Sequence, residues 1–380
     1  MKKICFVLTT YGTFHSFLKY FSIFLQKNGG YEVHLICGND ERISTDLPEG
    51  VIFHPVPMKR GISLSGISAI FKMRKIFKEN NFEIIQYSTP NAAFYASLAS
   101  WSIKAPVRLY CQWGIRYMGF EGLSRFIFKT IERITCKCST FIEVESHNIR
   151  NFSLEEGLYT AEKSSVIWNG SASGVDLNKF DINKRDEYRN LIRNQYGFSD
   201  TDTVFAFAGR LTADKGVNEL LEAFLKVADT VSSAKLMIMG RNDNINSLNA
   251  KLFDNARQNS NIVFTGNVEN IEQYYAAADV FVAPSYREGF GLVVVEAQAI
   301  GLPAIVSDVP GQVDAILPNV TGITCEVKNS NSLKEAMIKM LEDSEHRIQM
   351  AENAVRFARE KFDQKVLFEH LLSHRNELVN

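Results

Sequence analysis

SYREGFGLVVVE, residues 285–296, decides how the rest of the chain is read. An apolar run precedes it, Val280 to Ala283 in DVFVAPS, with the character of a buried parallel strand stopped by Pro284. VVVEAQAIG follows, a helical stretch closed by Gly301 and then Pro303. The segment therefore reads as strand, glycine loop, helix start. Gly289 and Gly291 let main chain approach a ligand with no Cβ in the way. The helix beyond opens with unpaired N–H groups and a partial positive charge, a place for a phosphate or another anion. Glu288 stands before this helix and Glu296 inside it, roughly 8 Å of helical rise past Gly291. Carboxylates accept hydrogen bonds from vicinal hydroxyls, so a diphosphate seated between them leaves a sugar for one and a ribose for the other. The plain alternative is a surface loop with two solvated glutamates. The glycines, the strand before and the helix after favour a site.

Outward from this stretch, strand and helix signals alternate. Before it come Val204–Ala208, Lys235–Met239 and Ile262–Thr265; after it come Ala304–Ser307 and Ile323–Glu326. Helical spacing fits Val217–Val227 and Ile271–Ala277, and Ser332–Leu341, Glu345–Glu360 and Phe362–Leu378 close the chain. An earlier series does the same, with strands at Lys3–Thr9, Glu32–Cys37, Val51–Val56, Phe82–Ser88, Val107–Gln112, Phe141–Glu145 and Ser165–Trp168. Phe14–Gln26 and Ile67–Lys78 are helical between them. Two such series predict an α/β chain of two doubly wound parallel sheets. At 380 residues it is too long for one typical core. NGSASGVDLNKF, from Asn169, and the charged stretch after it mark the boundary. The expected division is 1–175, a linker over 176–202, a second domain over 203–360, and a final helix over 361–380.

Ligands on such sheets lie outside the carboxyl ends of the strands. In the second series, Gly209, Arg210, Lys215 and Gly216 follow the first strand. A diphosphate carries more charge than one cation balances, so a guanidinium with an ammonium suits it. In the first series, Gly12 and Thr13 follow the first strand, and Trp113 follows the fifth in QWG. Trp113 either stacks on a sugar ring or packs as an ordinary aromatic. No GxGxxG motif follows the first strand, which takes away the main support for a dinucleotide site.

The composition, 46% hydrophobic and 22% charged, is that of a soluble globular protein. No apolar run approaches the roughly 20 residues that span a bilayer. ICFVL after Met1-Lys-Lys stops at Thr9-Thr10-Tyr11-Gly12 without a cleavage pattern, so it reads as a strand and the chain is expected in the cytoplasm. Residues 1–175 hold 20 Lys and Arg against 14 Asp and Glu, a charge of +6, and the remainder carries −7. The amphipathic stretches Ile67–Lys78 and Phe120–Lys129 are candidates for peripheral contact with an anionic membrane. Cys136 and Cys138 lack companion ligands for a metal, so none is expected. No cofactor and no nucleic-acid partner are expected.

Taken together, VIWNGSASGVDLNKF, FAGRLTADKGV, IVFTGNV, YYAAADVFVAPSYREGFGLVVVEAQAIGLPAIVSDVPG and TGITCEV resemble the family 4 glycosyltransferases, over nearly the whole chain. The resemblance implies the GT-B fold, two Rossmann-like domains facing across a cleft with the last helix returning to the first. It implies a retaining transfer from a nucleotide-sugar, UDP-sugars being the commonest guess, to a glycan or isoprenoid-diphosphate-linked glycan in surface-polysaccharide or O-antigen synthesis. Arg210 and Lys215 match the pair on the diphosphate, and Glu288 the glutamate on sugar hydroxyls. Phe290, Gly291 and Leu292 match residues whose main chain meets sugar and phosphate; Glu296 matches the ribose ligand, and Val268 lies where the base is held. The resemblance assigns the acceptor to the first domain, with Gly12, Thr13 and Trp113 at its cleft edge. Many relatives have a His where this chain has Trp113, so no general base is named. Two other readings share the plan: a hydrolysing nucleotide-sugar 2-epimerase, whose acid/base pattern is not found, and a catalytically silent nucleotide-sugar-binding protein. Product analysis without acceptor separates the first from a transferase; nucleoside-diphosphate binding with no transfer marks the second.

Overall fold

The computed structural model of the chain describes residues 2–58, 64–241 and 245–380. They divide into two compact units, Met1–Ser173 with Lys365–Asn380, and Gly174–Gln364.

The first unit is built on seven parallel strands: β1 (Lys3–Val7), β2 (Glu32–Cys37), β3 (Ile52–Pro55), β4 (Ile84–Tyr87), β5 (Val107–Gln112), β6 (Phe141–Val144) and β7 (Ser164–Val166). They run in the order β3-β2-β1-β4-β5-β6-β7, with Ile4 of β1 opposite Val33 on one side and Ile84 on the other. Alternate residues of β1 face opposite cores. Ile4 and Phe6 pack with Phe21, Leu25 and Phe368. Cys5 and Val7 pack with Met73, Phe77 and Tyr95. Burial on both faces is why these strands read as unbroken apolar runs. All six cysteines of the chain are free and buried, and four of them, Cys5, Cys37, Cys111 and Cys136, pack as small hydrophobes in these two cores.

The one helix expected over Phe14–Gln26 is two, Tyr11–Phe17 and Lys19–Gly29, with Leu18 leaving helical geometry at φ −121° and ψ −12°. The helix Gln364–Val379 is tied into the first unit by Arg375. Its guanidinium clasps Glu143 of β6, Nη2 donating at 3.0 Å and Nη1 at shorter range, while Nε donates to Gln86 Oε1 at 3.1 Å. Burial alone would raise the Glu143 carboxyl; Arg375 and His374 overcome it and hold it at about 2.

The second unit has six parallel strands, β8 (Thr203–Ala208), β9 (Ala234–Met239), β10 (Ile262–Gly266), β11 (Val280–Ala283), β12 (Ala304–Ser307) and β13 (Gly322–Cys325), in the order β10-β9-β8-β11-β12-β13. Phe205 and Phe207 of β8 face the helix Val217–Ala228, and Val204 and Ala206 face the opposite core with Tyr275. Residues 176–202, expected as a linker, belong to this unit. Their helix, Arg185–Tyr196, packs against the helix Ile271–Ala277. Arg189 and Arg193 donate to the two oxygens of Asp279 at 2.8 and 2.7 Å. The charge that gives this stretch the look of a solvated connector is ion-paired and partly buried.

Candidate active site

In the second unit the chain winds from β8 through β9 to β10, then returns past β8 to β11, β12 and β13. The winding reverses between β8 and β11, and the loops at their carboxyl ends part there, the usual ligand crevice of such a sheet. Lys215 comes from the loop after β8 and Glu288 from the loop after β11. Lys215 Nζ donates to Glu288 Oε1 at 2.5 Å, and both side chains are half-buried.

Main chain holds the loops to one another. The Tyr286 N–H donates to the Asp214 carbonyl at 2.9 Å. Gly216, at φ 71°, lies so close to Pro284 that a Cβ there would stand 1.9 Å from the proline carbonyl oxygen. A third loop, after β12, joins them. Gln312 Nε2 donates to the Ala283 carbonyl at 2.6 Å. A Cβ on Gly311, at φ 85°, would lie 2.4 and 2.5 Å from the carbonyl oxygens of Gly289 and Glu288. Only glycine fits either place.

Cations gather around this clasp. Asp214 Oδ2 is 3.6 Å from Arg210 Nη2 and 3.6 Å from Arg287 Nη2, and its other oxygen accepts from Thr212 Oγ1 at 2.5 Å. Burial pulls the Asp214 carboxyl up; Thr212, Arg210, Arg287 and Lys215 together hold it below the usual range. Arg210 is exposed. Arg287 is a third cation that sequence reading passed over, although it lies inside the quoted stretch; a cation next to Glu288 was the available signal. The helix Leu292–Ala299 begins at Gly291, whose lack of a side chain leaves the first turn without a side-chain cap. Phe290 turns its ring into the core, 5.2 Å from that of Phe362, so main chain fronts the loop beside Gly289.

Glu296 and Val268 lie farther along the same edge. Glu296 is in the second turn of that helix, near the buried Tyr275 and the Lys179–Glu272 pair, whose charged atoms are 3.7 Å apart. Burial and the Glu272 carboxylate push Glu296 up to about 7, with Lys179 opposing them. Val268 follows β10 and packs half-buried against the core that includes Tyr275.

In the first unit, the stretch Thr9–His15 that follows the first strand is helical from Tyr11. Gly12 and Thr13 therefore sit in a first helical turn, where the freedom of glycine is not used. Thr13 shares a hydrogen bond of 3.1 Å with Thr10, and a Cβ on Gly12 would meet Arg42 Nη2 at 3.2 Å. Trp113 stands half-buried against Phe17, ring centres 5.2 Å apart. It has the surroundings of a packing aromatic.

Ammonium, guanidinium and carboxylate groups meet at the switch point of a doubly wound sheet, a combination whose chemistry suits an anionic, hydroxyl-bearing ligand. Residues 3–146 match the glycosyl transferase 4-like domain and residues 189–357 the group 1 glycosyl transferases, most of the chain between them. The chain belongs to these glycosyltransferases, and its fold is of the GT-B type. It is 29% identical over 360 residues to the capsular polysaccharide biosynthesis glycosyltransferase CapM of Staphylococcus aureus, covering 94% of this chain and 92% of that one. It is 25% identical over 326 residues to the UDP-Gal:alpha-D-GlcNAc-diphosphoundecaprenol alpha-1,3-galactosyltransferase of Escherichia coli, covering 84% and 82%. A glycosyltransferase structure from Rickettsia africae superposes with a TM-score of 0.79 at 19% identity, covering 100% and 99%.

Proposed function

We propose that the enzyme is a retaining glycosyltransferase that moves a sugar from a UDP-sugar to a hydroxyl of a lipid-linked glycan in surface-polysaccharide synthesis. The observation that carries this reading is the Lys215–Glu288 contact at the mouth of the Leu292–Ala299 helix. An ammonium and a carboxylate 73 positions apart in sequence lie within hydrogen-bond range, the one suited to phosphate and the other to sugar hydroxyls. The names of the S. aureus and E. coli relatives support the pathway, the UDP-sugar and the diphospholipid acceptor.

In this reading Arg210, Lys215 and the helix start at Gly291 hold the diphosphate. Glu288 takes the sugar hydroxyls, Glu296 the ribose, and Gly289, Phe290 and Leu292 offer main chain. Gly209 lets the loop approach, and Val268 flanks the base. Acceptor binding falls to the first unit, around Gly12, Thr13 and Trp113. The bond from the anomeric carbon to the diphosphate oxygen breaks and a bond to the acceptor oxygen forms on the same face. The acceptor proton passes to the departing phosphate oxygen, and the nucleoside diphosphate leaves. Negative charge grows on the leaving group as its bond stretches, so cations fixed beside it stabilise the transition state more than the ground state.

The test supplies the full-length enzyme with a panel of nucleotide-sugars and a diphosphoundecaprenol-linked saccharide. A longer glycolipid with the anomeric configuration of the donor is expected. Inverted product defeats retention, a covalent glycosyl-enzyme trapped for mass analysis defeats same-face attack, and nucleotide release without acceptor defeats transfer.

A further inference from the structure

A pocket on the first unit lies between the edge strand β7 and the last helix, Gln364–Val379. Its volume is about 490 Å³, and Phe141, Ser165, Trp168, His370, His374 and Glu377 line it. Gly12, Thr13 and Trp113 are not among its walls. Trp168 follows β7 at φ 53°, a left-handed backbone that a bulky side chain takes only where its surroundings hold it. Its indole is half-buried and nearly parallel to the exposed His370 ring, 17° between planes and 5.7 Å between centres. On another side the Phe141 and His374 rings stand 5.1 Å apart.

The polar groups of the pocket are only partly used. Ser165 Oγ is buried with no hydrogen-bond partner. His374 Nδ1 lies 3.1 Å from Glu143 Oε2, which leaves Nε2 without a partner among the described residues. Glu377 is exposed; its Oε1 accepts from Ser373 Oγ at 3.2 Å, and Oε2 is open. Among the described residues the lining has no lysine or arginine, and Glu377 is its one carboxylate. A phosphate or carboxylate meets no cation here, so a nucleotide would stack its base and leave its phosphates unmatched. A neutral ring with C–H groups on its faces and hydroxyls round its edge fits better. Its face covers indole, while its hydroxyls reach Glu377, His374 and Ser165.

We propose that this pocket binds one pyranose ring of a saccharide, separate from the sugar that Glu288 takes. The inference rests on the reading of the enzyme as one that extends a glycan, because that glycan supplies the saccharide. A ring of the acceptor other than the one that reacts docks on Trp168, and two points of attachment hold the chain more firmly than one.

Cellotetraose and chitotetraose are the probes, since their equatorial substituents leave C–H groups on both ring faces. Saturation-transfer NMR and tryptophan fluorescence on the whole protein, without nucleotide-sugar, should show binding of both. Trp168→Asn keeps a residue that tolerates left-handed backbone, and should weaken binding at least about tenfold with an unchanged melting curve. Glu377→Ala, outside the core, should weaken it about threefold and keeps the test open where Trp168→Asn melts early. Glu288→Ala should bind like the parent, and excess UDP should displace neither probe. Absence of binding, undiminished binding by either pocket variant, or displacement by UDP would overturn the proposal. No turnover is read, so a failure here is distinct from a failure of transfer at Lys215 and Glu288.

Discussion

Gly216 and Pro284 meet with no room for a methyl group: a Cβ on the glycine would stand 1.9 Å from the proline carbonyl oxygen. That contact fixes the Lys215 loop on the end of β11. Gly216→Ala combines a left-handed backbone with a main-chain clash, and should cost about 2–4 kcal/mol. Urea titration measures it. A variant as stable as the parent would show that the loops are held by something else.

Lys215 and Glu288 should act as a unit. Lys215→Ala or Glu288→Ala should each lower kcat/KM by about 10²–10³ while the fold persists, the range found when a transition-state charge loses its partner. The double variant should fall well short of the product of the two losses. Multiplicative losses would mean that the two side chains act independently in transfer and not as a pair.

Glu296, the proposed ribose ligand, should make both stability and nucleotide binding pH-dependent. Its folded carboxyl sits at about 7 against an ordinary 4.5, so the folded state keeps a proton that the unfolded chain has already released in that window. Stability therefore falls as pH rises from 4.5 to 7 and then levels. Glu296→Gln should remove this slope and gain relative stability above pH 7. Nucleotide affinity should move the other way, rising through about 7 as the carboxylate forms and can accept two hydroxyls. Calorimetric binding at several pH values checks this; the Gln variant should be flat.

Arg375 should matter most to the first unit. Arg375→Met leaves Glu143 buried without its main cation, a loss of about 3–5 kcal/mol. In the parent, Glu143 is held at about 2, so its contribution is complete above 4.5 and fades as pH drops towards 2. The variant should lose that part of the acid transition. Denaturant unfolding at pH 7 and pH 3 distinguishes it from a simple packing defect.

Periodicity made both sheets legible, because strands buried on two faces and helices buried on one leave distinct apolar spacing. The Glu288 loop was legible for the same reason: glycines between a strand and a helix are local. Arg287 and Asp214 were not, since their relation joins two loops at a switch point that only strand order reveals. A short apolar helix over Tyr188–Tyr196 is legible, but its place in the second unit is not, because charge alone does not tell a solvated arginine from one bound to Asp279. Ile192, buried between Tyr188 and Tyr196, was the quieter signal. The break at Leu18 left no trace in an apolar pattern that runs straight through it.

The loops around Glu288 are fastened by carbonyls, one glutamine amide and two glycines as well as by the charged pairs they display. Scaffold and reagents still separate in part. Exchanging side chains at 210, 287 or 288 re-tools what the crevice grips and leaves its frame standing, whereas a single methyl group at 216 or 311 unfastens the frame and leaves every charge in the sequence. The smallest residues of this enzyme set its tolerances, and the larger ones are its interchangeable fittings.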